Sequence, residues 1–449
     1  MTTVRTATPS TARAINDRLA LNLLLDQGPL TATELRDLTG LSRPTVADLL
    51  ERLQRTGLVA VVGERGEQRR GPNARLYALV ASRAHLAAVD VRSGGVSLVV
   101  ADLAGQVLAS ADLPVDAPGE GPDAGGADTG GPRASGEDAD GPAADGPKSD
   151  RDTADRDTAD RDTADGDRDT EDRDTAARIV RTLLDTARRA GADHLHTIAV
   201  GAPGLVDPAT GRLQSTGELP AWHAELLTAL RELPGTDVIL ENEVNLAGRA
   251  EYRTGAARDR DDFVLVWLGH SVGAAVVIDG RLRRGAHGGT GEICFLPVPG
   301  TASLPSATGC EGGFHSLAGS AAVCALARAH GLPADPADDA PAAEAAVRAA
   351  LDALGDGRPG GPFLDELAER IAVGVSAVCV VLDPGCVVLG GETGRAGGAE
   401  LAARVEARLA LLSPLRTEVR AGEAGGGAVL GGAVLTAGDA VRRDLFGEP

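Results

Sequence analysis

From residue 16 to residue 80 the apolar positions recur first at helical and then at strand spacing. Asn16–Gly28 (NDRLALNLLLDQG) predicts a helix with a glycine stop. Thr31–Gly40 opens on a capping box, Thr31 and Glu34, and is expected to pack Leu35 and Leu38 inward. After a tight turn through Gly40 and Leu41, Ser42 caps a third helix that holds Pro44 in its first turn. Val46, Leu49, Leu50 and Leu53 fall at i, i+3, i+4 and i+7, one buried stripe, which leaves Arg43, Thr45, Asp48 and Arg52 on the outer face. Gly57 ends that helix. Leu58–Val62 then predicts a strand, GERGEQRRGPN a loop, and Ala74–Val80 a return strand.

Helix, helix, turn, helix and hairpin make an α+β winged helix-turn-helix over residues 10–80. Such a third helix meets major-groove base edges with its N-terminal residues. The expected DNA-binding residues are Ser42, Arg43, Thr45 and Arg52 on that helix, with Arg69 and Arg70 (and Arg65) in the wing. A small helical protein-interaction module with a solvated basic loop is the plainer reading. The capped second helix, the tight turn and the S-R-P-T start together weigh against it.

Beyond residue 85 the pattern changes. His85–Leu108 alternates like two strands around a Gly turn, with Asp90 at the end of the first. Strand-like runs such as TIAVGAPG, VILENE, FVLVWLG and VCVVLDPGCVVLGG then alternate with helical ones and end in Gly-rich loops. This predicts α/β lobes that hold phosphates or sugars between them.

Composition alters this picture in one place. Ala111–Ala177 holds 21 acidic and 7 basic residues, so most of the chain's net charge of -21 belongs to it. After Val115 that stretch has almost no large apolar side chain, and residues 151–177 contain five RDTxx units. It is expected to be a disordered acidic insert over 112–176, dividing one domain at 85–445, because it buries too little surface to offset ordering entropy. Its plain reading is a tolerated loop expansion; the alternative is an acidic competitor for the basic end. Residues 1–80, with 11 Arg against 8 acids, are the one clearly basic stretch. Five scattered cysteines without a CxxC read as reduced thiols. The absence of an apolar leader or a long apolar run points to a cytoplasmic protein with no membrane contact.

The segments GAPGLVD (Gly201–Asp207), ENEVN (Glu241–Asn245), GTGE (Gly289–Glu292) and VVLGGE (Val387–Glu392) resemble the ROK family, which unites bacterial sugar-responsive repressors with sugar kinases. LSRPTVADLLERLQRTGLV likewise resembles the helix-turn-helix of bacterial repressors. The resemblance implies an α/β actin-like ATPase (ribonuclease H-like) two-lobed domain behind the winged helix. It places Asn242, Glu243 and Glu292 at sugar-binding positions, with His315 where a second sugar-binding Glu is usual.

The departures from the family pattern are as informative. Glu243 stands at the position of the kinases' catalytic Asp, one methylene further out, and about 1 Å of misplacement costs on the order of a hundredfold in rate. Arg92 replaces a glycine of the phosphate strand, and GHSVG (Gly269–Gly273) replaces a G-T-G-x-G loop. Phosphoryl transfer is therefore not expected, no catalytic residue is assigned, and ATP binding is doubtful on these residues. The family's zinc ligands, one His and three Cys, correspond to Phe295, Ser306, Thr308 and Gly313, so neither zinc nor another metal is expected. Trp222, His270 and His287 are read as structural.

These expectations converge on a transcriptional regulator, a repressor of carbohydrate-related genes. It would bind double-stranded operator DNA as a homodimer or higher homo-oligomer and respond to a sugar or sugar derivative held between the lobes. The alternatives are an active ATP-dependent ROK sugar kinase with a DNA-binding appendage, and a ligand-blind DNA-binding protein with a dimerisation scaffold.

Overall fold

The computed structural model describes residues 9–65, 74–92, 94–115, 157–214, 222–307, 309–355 and 360–447. α1 (Pro9–Gln27) ends at Gly28, whose φ of 77° suits a residue without a Cβ. β1 (Leu30–Thr31) runs into α2 (Ala32–Thr39), where the expected capping box is formed. The Glu34 N–H donates to Thr31 Oγ1 at 3.2 Å and the Thr31 N–H to Glu34 Oε2 at 2.8 Å. α3 (Arg43–Arg55) follows, N-capped by Ser42, and buries Val46, Leu49, Leu50 and Leu53 against Leu21, Leu24 and Leu35. Leu38 does not join them and is 47% exposed. An i+3 step turns about 60° short of a full circle, which in a helix of two turns carries Leu38 off the buried line. β2 (Val59–Arg65) and β3 (Ala74–Leu79) form the antiparallel wing, and β3 also pairs with β1.

The first lobe is a five-stranded sheet in the order β10-β7-β4-β5-β6. β4 (His85–Arg92), β5 (Gly95–Asp102) and β6 (Val107–Pro114) are an antiparallel meander; β7 (Thr197–Ala202) and β10 (Asp237–Asn242) run parallel to β4. Strand alternation splits β4 between two cores. Ala87, Val89 and Val91 pack under α4 (Asp157–Arg189) and α5 (Trp222–Arg231). Leu86 and Ala88 face α6 (Glu243–Thr254) and α12 (Ala428–Phe446). The β8 (Leu205–Val206) and β9 (Leu213–Gln214) pair projects from the loop after β7.

The second lobe repeats this plan, in the order β13-β12-β11-β14-β15. β11 (Phe263–Leu268), β12 (Val272–Ile278) and β13 (Arg281–Arg283) form the meander, with β14 (Cys386–Gly390) and β15 (Glu418–Ala421) parallel to β11. Val264, Val266 and Leu268 pack under α7 (His315–Ala318), α8 (Ser320–Ala329), α9 (Ala340–Gly355), α10 (Gly361–Leu382) and α11 (Gly391–Leu412). Phe263 and Leu265 join the core that holds α6 and α12, so those two helices lie between the sheets. The core of the winged helix is continuous with it through α12, including Phe446 and the partly buried Leu445.

Both ends of the stretch 112–176 differ from expectation. Residues 112–114 complete β6, Val115 is buried, and α4 begins at Asp157, inside the RDTAD repeats. The helix is anchored by Ala176, Ile179, Leu183 and Ala187, which are buried on the sheet. From that nucleus each further helical residue costs little. The remainder, 116–156, lies outside the described residues. All five cysteines are free. Among the described residues no helix is long and apolar enough to cross a membrane.

Candidate functional site

The start of α3 presents Ser42 and Arg43 outward. The Ser42 hydroxyl lies 2.8 Å from that of half-buried Thr45 and accepts the Thr45 N–H at 3.4 Å, so both hydroxyls brace the first turn. Exposed Arg43 has no ion-pair partner among the described residues. Arg52 is placed differently from expectation: it leans back on α1, 2.5 Å from Asp17, and also pairs with Asp48. Its hydrogen bond to Asp17, against the cost of burial, holds the guanidinium pKa above its usual value. Arg65 in the wing pairs with Glu34. Arg69 and Arg70 lie outside the described residues.

The second set of candidates gathers around the segment Gly269–Ala274. Asn242 is the N-cap of α6: its Oδ1 accepts the N–H groups of Val244 at 2.9 Å and Asn245 at 3.1 Å, and its Nδ2 donates to the Gly204 carbonyl at 3.1 Å. One amide hydrogen remains for a ligand. Glu243 is the next residue, at a helix N-terminus that favours its charge. Val244 sits against Gly273, where a Cβ would stand 3.0 Å from Val244 Cγ2. The Ala274 N–H donates to the Gly291 carbonyl at 2.8 Å, which sets half-buried Glu292 beside the same segment, and Cys294 Sγ lies 3.7 Å from Glu292 Oε2. Ser271 Oγ and His315 Nδ1 are 3.3 Å apart. His270 contacts Ser320 at 3.4 Å, Trp222 is buried in the first-lobe core, and exposed His287 borders Gly288.

Two features were not legible in the sequence. Buried Glu241 holds Arg284 through bonds of 2.7 and 2.5 Å and also accepts Asn245 Nδ2 at 3.0 Å, which ties the loop after β13 to the head of α6. Arg92 makes the second link. Its Nε donates to Asp90 Oδ2 at 2.8 Å within the first lobe, and its Nη1 approaches Glu392 Oε1 at 3.5 Å across the cleft in the second. Burial pushes the Asp90 carboxyl up against the pull of Arg92, and its Oδ1 has no hydrogen-bond partner among the described residues. Burial also works against the charge on Arg92, but the fields of Asp90, Glu392 and Glu243 outweigh it and leave the pKa raised. No spacing rule joins Arg92 to Glu392, 300 positions away.

The metal and nucleotide of the resembled family can be tested against these residues. Phe295 and Gly313 offer no donor. A Cβ at Gly313 would overlap the Cys294 carbonyl oxygen and stand 3.0 Å from that of Cys310, so the backbone leaves no room there for a ligating side chain. Ser306 is exposed, and Thr308 lies outside the described residues. No group of three or more His, Cys, Asp and Glu suited to a metal occurs among the described residues. These residues do not fit zinc. A cavity at the ends of β11, β14 and β15, lined by Trp267, Gly391, Gly422 and Glu251, has room for about 10 Å³, close to one water. Glu251 is locked there by the N–H groups of Ala256 at 2.8 Å and Ala424 at 2.9 Å.

A winged helix fused to two copies of one sheet plan, with α6 and α12 between them, defines a helix-turn-helix protein built on an actin-like two-lobed domain. The chain belongs to the ROK family, whose description matches residues 157–438, and the MarR family description matches residues 15–71. A crystal structure of a ROK family transcriptional regulator, a homolog of the Escherichia coli MLC protein, aligns with a TM-score of 0.66 at 19% identity, covering 97% of this chain and 98% of that one. The glucokinase of Thermotoga maritima is 27% identical over 235 residues, 49% of this chain and 70% of that protein. The DNA-binding transcriptional dual regulator NagC of E. coli K12 is 31% identical over 104 residues, 23% of this chain and 26% of its own length. For several curated relatives the chain spans between 26% and 34% of their length.

Proposed function

We propose that the chain is a transcriptional repressor of carbohydrate-related genes, which binds operator DNA as a homodimer or higher homo-oligomer and takes a sugar or sugar derivative between its lobes. The observation that carries the reading is the continuous path from cleft to winged helix. Asn242 and Glu243 head α6, α6 crosses α12, and α12 shares a core with α1 and α3. A ligand that binds one lobe arrangement better than another would shift α6 and α12 together and re-aim α3. Arg43, with Ser42 and Thr45, would meet DNA at the head of α3; Arg69 and Arg70 would contact phosphate from the wing. Arg52 contributes to holding α3 on α1 instead. Asn242, Glu243, Glu292 and His315 would bind the sugar, and no useful phosphoryl transfer is expected with Arg92 in place of the phosphate-strand glycine.

Fluorescence anisotropy on operator DNA tests the reading. Arg43→Ala should lose about 1–3 kcal/mol at a specific site, while changes at Arg69 and Arg70 weaken all sequences and flatten the salt dependence. Binding left intact by all three changes would overturn the DNA-binding assignment. A coupled ADP-release assay tests the kinase alternative; turnover of about 1 per second or faster over a sugar panel would establish it.

A further inference from the structure

Resting on the sugar-sensing reading, we infer that Arg92 and its carboxylates set the charge of the effector: the cleft takes an uncharged or amino sugar and rejects its phosphate ester. Arg92 is a cation at a point where the lobes meet, and it is already claimed by Asp90 in one lobe and Glu392 in the other. Glu243 adds a third negative charge to the field at Arg92. The nearby Arg284 is held by buried Glu241 through two bonds. Among the described residues, Asp90 and Glu392 are thus two carboxylates on one Arg92 guanidinium, a negative balance.

A phosphate dianion entering beside Glu243 meets that balance directly. To gain Arg92 it must compete with Asp90, whose side chain is only 3% exposed. Stripping that carboxylate of its partner leaves a buried charge uncompensated, which is the costly way to break such a pair. Asp90 Oδ1 is already buried without a hydrogen-bond partner among the described residues. Drawing Arg92 away would leave both oxygens of Asp90 unmet in a buried place. Backbone N–H groups at the head of α6 do not offset this, because Asn242 Oδ1 occupies those of Val244 and Asn245.

The test is isothermal titration of the full-length protein with matched probes: glucose, glucosamine and glucose 6-phosphate, then N-acetylglucosamine and its 6-phosphate, mannose and its 6-phosphate, and xylose and its 5-phosphate. In whichever series binds, the parent or amino sugar should bind at least about tenfold more tightly than the phosphate ester. Glu392→Gln, checked for folding by circular dichroism, removes one claim on Arg92 and should narrow that gap severalfold. A phosphate ester that binds as tightly as its parent, or more tightly, overturns the inference and leaves sugar sensing standing. A gap unchanged in Glu392→Gln overturns the role given to the Arg92 cluster. If no sugar in either form binds or alters operator affinity, the sensing reading fails and this inference fails with it.

Discussion

Single side chains separate recognition from scaffolding on α3. Arg43 is exposed and unpaired among the described residues, whereas Arg52 spans α3 to α1 through Asp17. Arg43→Ala should therefore weaken DNA binding and leave the melting temperature unchanged. Arg52→Ala should cost up to about 1 kcal/mol in chemical denaturation, since the pair is only partly shielded from solvent. The helical wheel puts Arg52 on the outer face, but it does not show that a long side chain folds back on a neighbouring helix. His223 supplies a pH signature. Buried without a partner for Nε2 among the described residues, it has a pKa lowered by desolvation from 6.5 to about 4. The folded value lies below the unfolded one, so this contribution is complete above about pH 6.5 and is lost as pH falls towards 4, amounting to about 3 kcal/mol. Thermal melts from pH 7.5 to 4 should show a shallower loss in His223→Leu than in the unsubstituted protein.

Elements whose limits are fixed by neighbouring residues were legible. The capping box of α2, the Ser42 cap and the stripe of α3 need only local geometry. The beginning of α4 was not: the apolar anchors of that helix lie after Ala176, and the acidic repeats before it carry no burial signal that would mark where helix stops. In the cleft, Asn242, Glu243, Glu292 and His315 could be named from motifs, but the bonds of Glu241 to Arg284 and of Arg92 to Glu392 depend on tertiary placement. The α6–α12 crossing has the same character. A Cβ at Gly432 would overlap the Leu246 carbonyl oxygen, so the two backbones touch there. Gly432→Ala should force them apart, destabilise the protein by about 1–3 kcal/mol in denaturant titrations, and reduce the effect of sugar on DNA affinity. Normal stability and full sugar response in that variant would remove α6–α12 contact from the proposed path.

For the whole chain, the acidic stretch divides into two parts with opposite prospects. Replacing residues 116–156 by a short Gly/Ser linker should leave stability nearly unchanged, because a fourfold shorter loop changes closure entropy by about 1 kcal/mol, in the stabilising direction. Extending the deletion to residue 176 removes buried Ala176 and more than half of α4 (Asp157–Arg189), and should lower the melting temperature sharply. Differential scanning calorimetry of both variants checks the distinction. The position of α12 bears on how this protein can be taken apart. The last helix of the chain completes the core of the first unit, so the DNA-reading end is not a detachable cassette. A fragment stopping before residue 85 would bare the apolar surface that α12 covers, and grafting this winged helix onto another sensor would require carrying its far terminus along.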